Sequence, residues 1–276
     1  MKIRGAGASS GAHNLRSMSS GGDRTILITF DTDWAPDWII DDVADMLIES
    51  KVRATWFVTN DGAATRALRK EPLFEVGLHP NFLSGSTHGI TPESVMTHLK
   101  AIVPEAVSVR SHSLCQAEPW LRLMAERFGI ANDCSIHLPL QAGVAPHVIR
   151  LGEAVPPLLR LPHVFQDNMY MFIARPWSLE QLWFTSSGLK VFCFHPIHVV
   201  MNACTMAEYE RVKARGPIAR LRPNDVPRRA LGEGGCRDLL RQLLAIVRTE
   251  STHTVKSYAS WWLEGQGLEA VEDDGK

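Results

Sequence analysis

Short apolar runs that stop abruptly at a carboxylate or a histidine alternate along this chain with stretches whose apolar positions recur every three or four residues. The first run, Ile26-Leu27-Ile28-Thr29-Phe30, ends on Asp31, Thr32 and Asp33, and a short, mostly apolar run of this kind predicts a buried strand. Pro36-Asp37 then open a helix, with apolar residues at helical spacing from Trp38 to Ile48. Ala54 to Thr59, rich in β-branched and aromatic residues, predicts a second strand, followed by a weaker helix from Ala63 to Arg69. The third strand, Glu75 to Leu78, stops at His79-Pro80, and the polar run Asn81 to Gly89 behind it predicts a loop carrying His88. Thr91 and Pro92 supply an N-cap and a first-turn proline for a helix to about Val103. Ala106 to Val109 is a strand ending on Arg110-Ser111-His112, and Pro119 to Phe128 a helix stopped by Gly129.

The second half repeats the theme less regularly. Ile130 to Ile136 predicts a strand, Gln141 to Pro157 an irregular excursion, and Leu158 to Pro162 an apolar lead into His163 and Asp167. Ser178 caps a predicted helix to Phe184, and the apolar strand Leu189 to Phe194 ends on His195-Pro196-Ile197-His198. Helices are predicted from Thr205 to about Ala214, Asp238 to Val247 and Val255 to Leu263. Strand and helix alternate through most of the chain, which predicts a parallel sheet covered by helices, and the length suits one closed α/β barrel. The polar residues noted above follow predicted strands, so a barrel would gather them at its C-terminal mouth.

Composition narrows the function. A net charge of -1 over 276 residues and a pI near 6.8 give no electrostatic case for nucleic acid as a partner. The five cysteines form no C-x-x-C pair and are expected to be reduced packing residues. Residues 1–23, rich in Gly and Ser without an apolar core, are expected to form a flexible leader before a single domain, 24–276. No stretch approaches a membrane span, and a cytoplasmic location is expected. If the first strand extended to its last acid, Asp31 and Asp33 would share one face. Two carboxylates so placed need a cation, a proton or strong donors between them.

The order of these motifs resembles the NodB-type polysaccharide deacetylases, carbohydrate esterase family 4, and most closely their WbmS-like branch linked to O-antigen synthesis. Thr29-Phe30-Asp31-Thr32-Asp33 resembles the family's T-F-D-D, and Glu75-Val76-Gly77-Leu78-His79 its E-x-G-x-H. Thr252-His253-Thr254-Val255 resembles its closing segment. The resemblance implies a distorted (β/α) barrel and metal-dependent removal of an N-acyl group from a sugar. It implies Asp31 as general base oriented by Arg110, Asp33 and His79 as metal ligands, and His195 as the acid held by Asp167. The family's second metal histidine, four residues after the first, is leucine here; His88 is the expected replacement, and His112 its competitor. That ligand set suits zinc. Trp34, His112 and His198 are expected to line the substrate site, with His198 an alternative acid.

The expected substrate is an N-acylated sugar in a nucleotide-, lipid- or polymer-linked glycan. A small-amide hydrolase of allantoinase type and a non-catalytic carbohydrate-binding barrel are the other readings. The arginines and lysine between 211 and 229 read as a solvated basic surface, or as a grip for a diphosphate if they face the barrel mouth.

Overall fold

A computed structural model of the chain describes residues 25–179, 182–247 and 252–267; the expected leader lies outside them. Its elements in order are β1 (Ile26–Asp31), α1 (Asp37–Ser50), β2 (Ala54–Val58), α2 (Ala63–Leu68), β3 (Phe74–Leu78), α3 (Pro92–Ile102), β4 (Ser108–Val109), α4 (Glu118–Phe128), β5 (Asn132–Asp133) and β6 (His147–Ile149). After them come β7 (Leu158–Arg160), β8 (Phe165–Gln166), α5 (Asp167–Phe172), α6 (Leu182–Thr185), β9 (Lys190–Phe194), α7 (Pro196–Met201), α8 (Met206–Lys213), α9 (Cys236–Ile246) and α10 (Val255–Gly265).

Among the described residues one sheet runs in the order β6-β7-β5-β4-β3-β2-β1-β9-β8. Every pairing is parallel except β6 with β7. The sheet curls because β7 and β8 are two parts of one extended run. Leu159 and Arg160 pair with β5, His163 bridges to His137, and Phe165 and Gln166 pair with β9. The expected barrel is therefore present and distorted at this seam, where the strands are only two or three residues long.

The two faces of β1 explain its mostly apolar run. Ile26, Ile28 and Phe30 join the layer between sheet and helices, whereas Leu27 joins an inner cluster with Phe57, Leu159, Leu161 and Val191. Val255, Tyr258 and Ala259 of α10 close that inner cluster from below. Period two then places Thr29 and Asp31 inward above Leu27. The interior is thus apolar at its floor and polar at its mouth, which lets a carboxylate end a buried strand. Phe30, on the outer face, stacks on Trp56 with ring centroids 4.3 Å apart.

Local signals act as their chemistry suggests. Thr91 Oγ1 accepts from Ser94 N at 3.2 Å to cap α3, and Gly129 ends α4 with φ 62°. The Asp37 carboxylate accepts from Ala63 N and Ala64 N, so an acid in the first turn of α1 caps α2 instead. Glu75 faces away from the mouth: its Oε2 accepts from Thr55 Oγ1 at 2.9 Å and Lys256 N at 2.7 Å, fastening the start of α10 to the sheet. The elements not expected from the sequence are β6 within the 141–157 excursion, the two-residue β8, and the short helices α5 and α7 that begin directly at strand ends. The helix expected from Ser178 is observed only at Leu182–Thr185, with residues 180 and 181 outside the described set. No helix among the described residues is long and apolar enough to cross a membrane.

Candidate active site

The mouth of the barrel gathers the side chains that follow β1, β3, β4, β8 and β9. Asp31, the last residue of β1, is buried, and its Oδ1 accepts from Arg110 Nη1 at 2.9 Å. Its Oδ2 accepts from the Cys193 thiol at 3.2 Å. Arg110 follows β4 and is 0% exposed; its Nη1 also donates to Thr29 Oγ1 at 2.8 Å, its Nε donates to Cys134 O at 3.2 Å, and its guanidinium lies 4.6 Å above the Phe57 ring. Burial alone would weaken its hold on the proton, but the Asp31 carboxylate outweighs that and raises its pKa, so the guanidinium stays charged.

Strand β1 stops at Asp31, and this corrects the expectation that pleat alternation carries Asp33 to the same face. Asp33 and Trp34 both take left-handed backbone angles, φ 44° and 58°, a conformation that costs a non-glycine residue on the order of 1 kcal/mol or more. The turn is pinned: Ala35 N donates to Thr32 O at 2.8 Å, Trp34 N donates to Thr59 Oγ1 at 2.9 Å, and the Thr32 and Thr59 hydroxyls lie 3.2 Å apart. Through this reversal Asp33 reaches the mouth.

There Asp33 Oδ1 lies 3.1 Å from His79 Nε2 and 3.1 Å from His112 Nδ1, and the two ring nitrogens are 3.2 Å apart. Donors sharing a tetrahedral ion at bond lengths of about 2.0–2.1 Å would be separated by about 3.3 Å. One carboxylate and two imidazoles at this spacing fit a zinc-type cation. Burial by itself would raise the Asp33 carboxyl, but hydrogen bonds from His112 and His79 and the positive charge of His195 hold it well below the usual carboxylate range. His79 Nδ1 points back to Asp31 Oδ1 at 3.8 Å, so one imidazole stands between the two acids.

His112, expected to line the substrate site, occupies the place the sequence reading gave to His88. The reason is strand order. His112 leaves β4, the neighbour of β3, and its backbone N donates to Pro80 O at 2.9 Å, which brings its ring edge-on to His79 at 5.3 Å. His88 lies farther along the loop from β3. Its Nδ1 accepts from Asn81 N at 3.3 Å, and its ring stacks on His98 at 5.5 Å and faces Trp34 at 5.4 Å. Burial and the neighbouring His98 push its pKa down to about 4, so it is a neutral support behind Trp34. Trp34 stays partly exposed beside the group, edge-on to His112 at 5.2 Å.

Asp167 and His195 form the opposite wall. Asp167 Oδ1 accepts from His195 Nδ1 at 2.6 Å, and Oδ2 accepts from the His195 backbone N at 2.6 Å. His195 Nε2 points into the mouth, 3.5 Å from Asp33 Oδ2. Desolvation opposes a cation here, but the adjacent Asp167 raises the His195 pKa to about 10. The two histidines correspondingly hold Asp167 well below the usual range against its burial. His195 is therefore a protonated imidazolium at neutral pH, with its Nε2–H presented to the site.

His198 is not at the substrate surface. It is 2% exposed, behind Asp167, with Nδ1 3.1 Å from Asp167 Oδ2. The sequence reading also passed over Cys193 and Cys236 as packing residues, yet each thiol donates to a carboxylate of the site, Asp31 and Asp167 respectively. Cys193 lies two residues before His195 on β9 and so shares its face, a signal that strand period could have supplied.

The family model for WbmS-like polysaccharide deacetylases matches residues 28–213. A crystal structure from Bordetella bronchiseptica, of a protein assigned as a polysaccharide deacetylase involved in O-antigen biosynthesis (WbmS), is similar with a TM-score of 0.69 at 34% sequence identity, over 80% of this chain and 90% of that one. No curated protein matches the sequence.

Proposed function

The chain belongs to the WbmS-like polysaccharide deacetylase family, and from that premise we propose that it hydrolyses the N-acyl group, acetyl in the simplest case, of an amino sugar in a nucleotide-, lipid- or polymer-linked glycan. The observation that carries the reading is the meeting, at one mouth, of the three-donor group Asp33, His79 and His112 with two separately buried pairs, Asp31–Arg110 and Asp167–His195. His112, at ligand spacing from Asp33 and His79, favours this reading over a non-catalytic carbohydrate-binding barrel.

Amide hydrolysis at neutral pH needs an activated water, polarisation of the carbonyl, and a proton for the departing amine. A divalent cation, zinc by the chemistry of its donors, would be held by Asp33, His79 and His112 and would supply Lewis acidity toward water and carbonyl oxygen. Asp31 takes the proton of the attacking water. Arg110 fixes the plane of that carboxylate, and the weak thiol donor Cys193 leaves it able to accept. His195 donates its Nε2 proton to the leaving nitrogen, which converts an amide anion, a very poor leaving group, into a free amine. Asp167 holds the imidazolium in the orientation for that transfer. Trp34 offers an apolar face to a sugar ring.

The test is acetate release from N-acetylated amino-sugar conjugates by metal-loaded protein, with a ureide as the contrasting substrate. Asp31→Asn is expected to keep the metal and lose at least about 10²-fold in turnover, the scale of a general base, whereas Asp33→Ala loses both. Turnover retained in Asp31→Asn would remove the base, and ureide hydrolysis without acetate release would replace the substrate class.

A further inference from the structure

Behind the Asp167–His195 pair the chain places a second buried histidine that the mechanism above leaves unused. His195 ends the extended segment after β9, Pro196 starts α7 at once, and His198 sits three residues on. Helical geometry turns that side chain back toward the helix start, so the one corner presents two imidazoles to one carboxylate, with ring centroids 5.0 Å apart. Asp167 itself is 0% exposed and divides its oxygens between them. Oδ1 accepts from His195 Nδ1 at 2.6 Å and from Asn168 N at 2.7 Å. Oδ2 takes the His195 backbone N–H at 2.6 Å, lies 3.1 Å from His198 Nδ1 off the line of a straight hydrogen bond, and receives the Cys236 thiol at 3.5 Å.

Packing alone does not account for a histidine here. His198 Nε2 is buried without a hydrogen-bond partner, a cost that a phenylalanine or leucine of similar volume would avoid. A shared metal ion does not account for it either. The 2.6 Å between Asp167 Oδ1 and His195 Nδ1 is a hydrogen-bond length, well short of the about 3.3 Å expected of two donors on one tetrahedral ion. What remains is the contact with Oδ2. A carboxylate offers only acceptors, so the nitrogen facing it carries hydrogen. The edge of the Tyr209 ring, from α8, stands against the His198 ring at 4.5 Å and an interplanar angle of 86°, which fixes that ring in place.

We propose that His198 is a positioning residue for the amine-protonating step: held by Tyr209, it fixes the Asp167 carboxylate through Oδ2, so that Oδ1 stays on His195 Nδ1 and the Nε2 proton stays aimed at the leaving nitrogen. The inference rests on the deacylase reading for its kinetic consequence, and on geometry alone for its structural one.

Two variants separate the possibilities. His198→Asn can place an amide N–H near the position of Nδ1, and His198→Phe keeps the ring without a nitrogen. In metal-free protein, the proton between His195 and Asp167 is expected as a far-downfield resonance in the wild type and in His198→Asn. In folded His198→Phe it moves upfield or broadens away. In metal-loaded protein, His198→Phe is expected to lose about 10–100-fold in kcat on the N-acetyl sugar with KM unchanged, part of the about 10²–10⁴ that general acid catalysis supplies. It should keep wild-type rates on an aryl acetate, whose phenolate leaves without a proton, and His198→Asn should restore most of the amide rate. An unshifted resonance in His198→Phe overturns the proposal, as does an equal loss on both substrates. A second bound ion that disappears with His198→Phe also overturns it. If wild-type protein releases no acetate from any amide, the deacylase reading fails, and the resonance still decides the positioning role.

Discussion

Replacing Arg110 with methionine is the most informative perturbation of the site, because it removes a charge from a place water does not reach. Arg110 is 0% exposed and Asp31 2% exposed, and the guanidinium donates to Asp31 at 2.9 Å, Thr29 at 2.8 Å and Cys134 O at 3.2 Å. Methionine preserves much of the stem over the Phe57 ring but strands the Asp31 carboxylate with only the weak Cys193 thiol donating to it. Breaking a buried ion pair from one side costs about 3–5 kcal/mol, mostly the penalty of the charge left behind. At about 2–3 °C per kcal/mol for a chain of this length, Arg110→Met is expected to melt about 6–15 °C below wild type. The assay is thermal unfolding of chelator-treated protein, since a bound ion would add its own stabilisation. Asp31→Asn removes the stranded charge, so the double variant should recover several degrees relative to Arg110→Met while remaining inactive. A double variant that melts at the sum of the two single losses would refute the charge argument. So would an Arg110→Met shift below about 2 °C.

Three further outcomes follow from the same coordinates. His112→Ala is expected to lose at least about 10-fold in zinc affinity, measured by calorimetry, and His88→Ala to stay within a few-fold of wild type; the reverse order would return the ligand role to His88. Gly77→Ala would set a Cβ 2.7 Å from Ser108 O and 2.9 Å from the Phe57 ring, pushing apart β3 and β4, which carry His79 and His112. A destabilisation of about 1–3 kcal/mol with weakened metal binding is expected in denaturant titrations, and unchanged affinity would separate strand spacing from the donor group. In metal-free protein the raised pKa of His195, about 10, gives a stabilisation that is full below its ordinary value near 6.5 and lost as pH rises through about 10. The lowered pKa of Asp167 gives one that is lost as pH falls below the ordinary carboxylate range. The gap in melting temperature between wild type and Asp167→Asn should therefore be widest between those limits, and a gap that does not change with pH would contradict both shifts.

The alternation of elements and the polar residues at strand ends were legible in the sequence, because a buried parallel strand must be apolar until it reaches the mouth. Asp31, Asp33, His79, Arg110 and His195 were found that way and Asp167 through the family resemblance, and the structure brings them together. The exchange of His88 for His112 was not legible. Which of two histidines meets His79 depends on the neighbour of β3 in the sheet, and a residue 33 positions away, just past β4, is nearer than one nine positions along the same loop. The path from Asp31 to Asp33 was misread for a local reason: alternation assumes that the strand continues, and a left-handed turn ends it. The helices α5 and α7 were missed because each starts at the strand end itself, without the polar linker that usually announces a helix.

The two acids at the end of β1 consequently answer to different mechanical constraints. Asp31 is clamped in the barrel wall, with partners on β4 and β9, and cannot shift unless the sheet does. Asp33 rides on a four-residue reversal anchored chiefly by threonine hydroxyls. That reversal is fixed by bonds that Asp31 does not share. The length of this reversal is therefore the natural place for engineering to retune the spacing between the two carboxylates, leaving the barrel untouched.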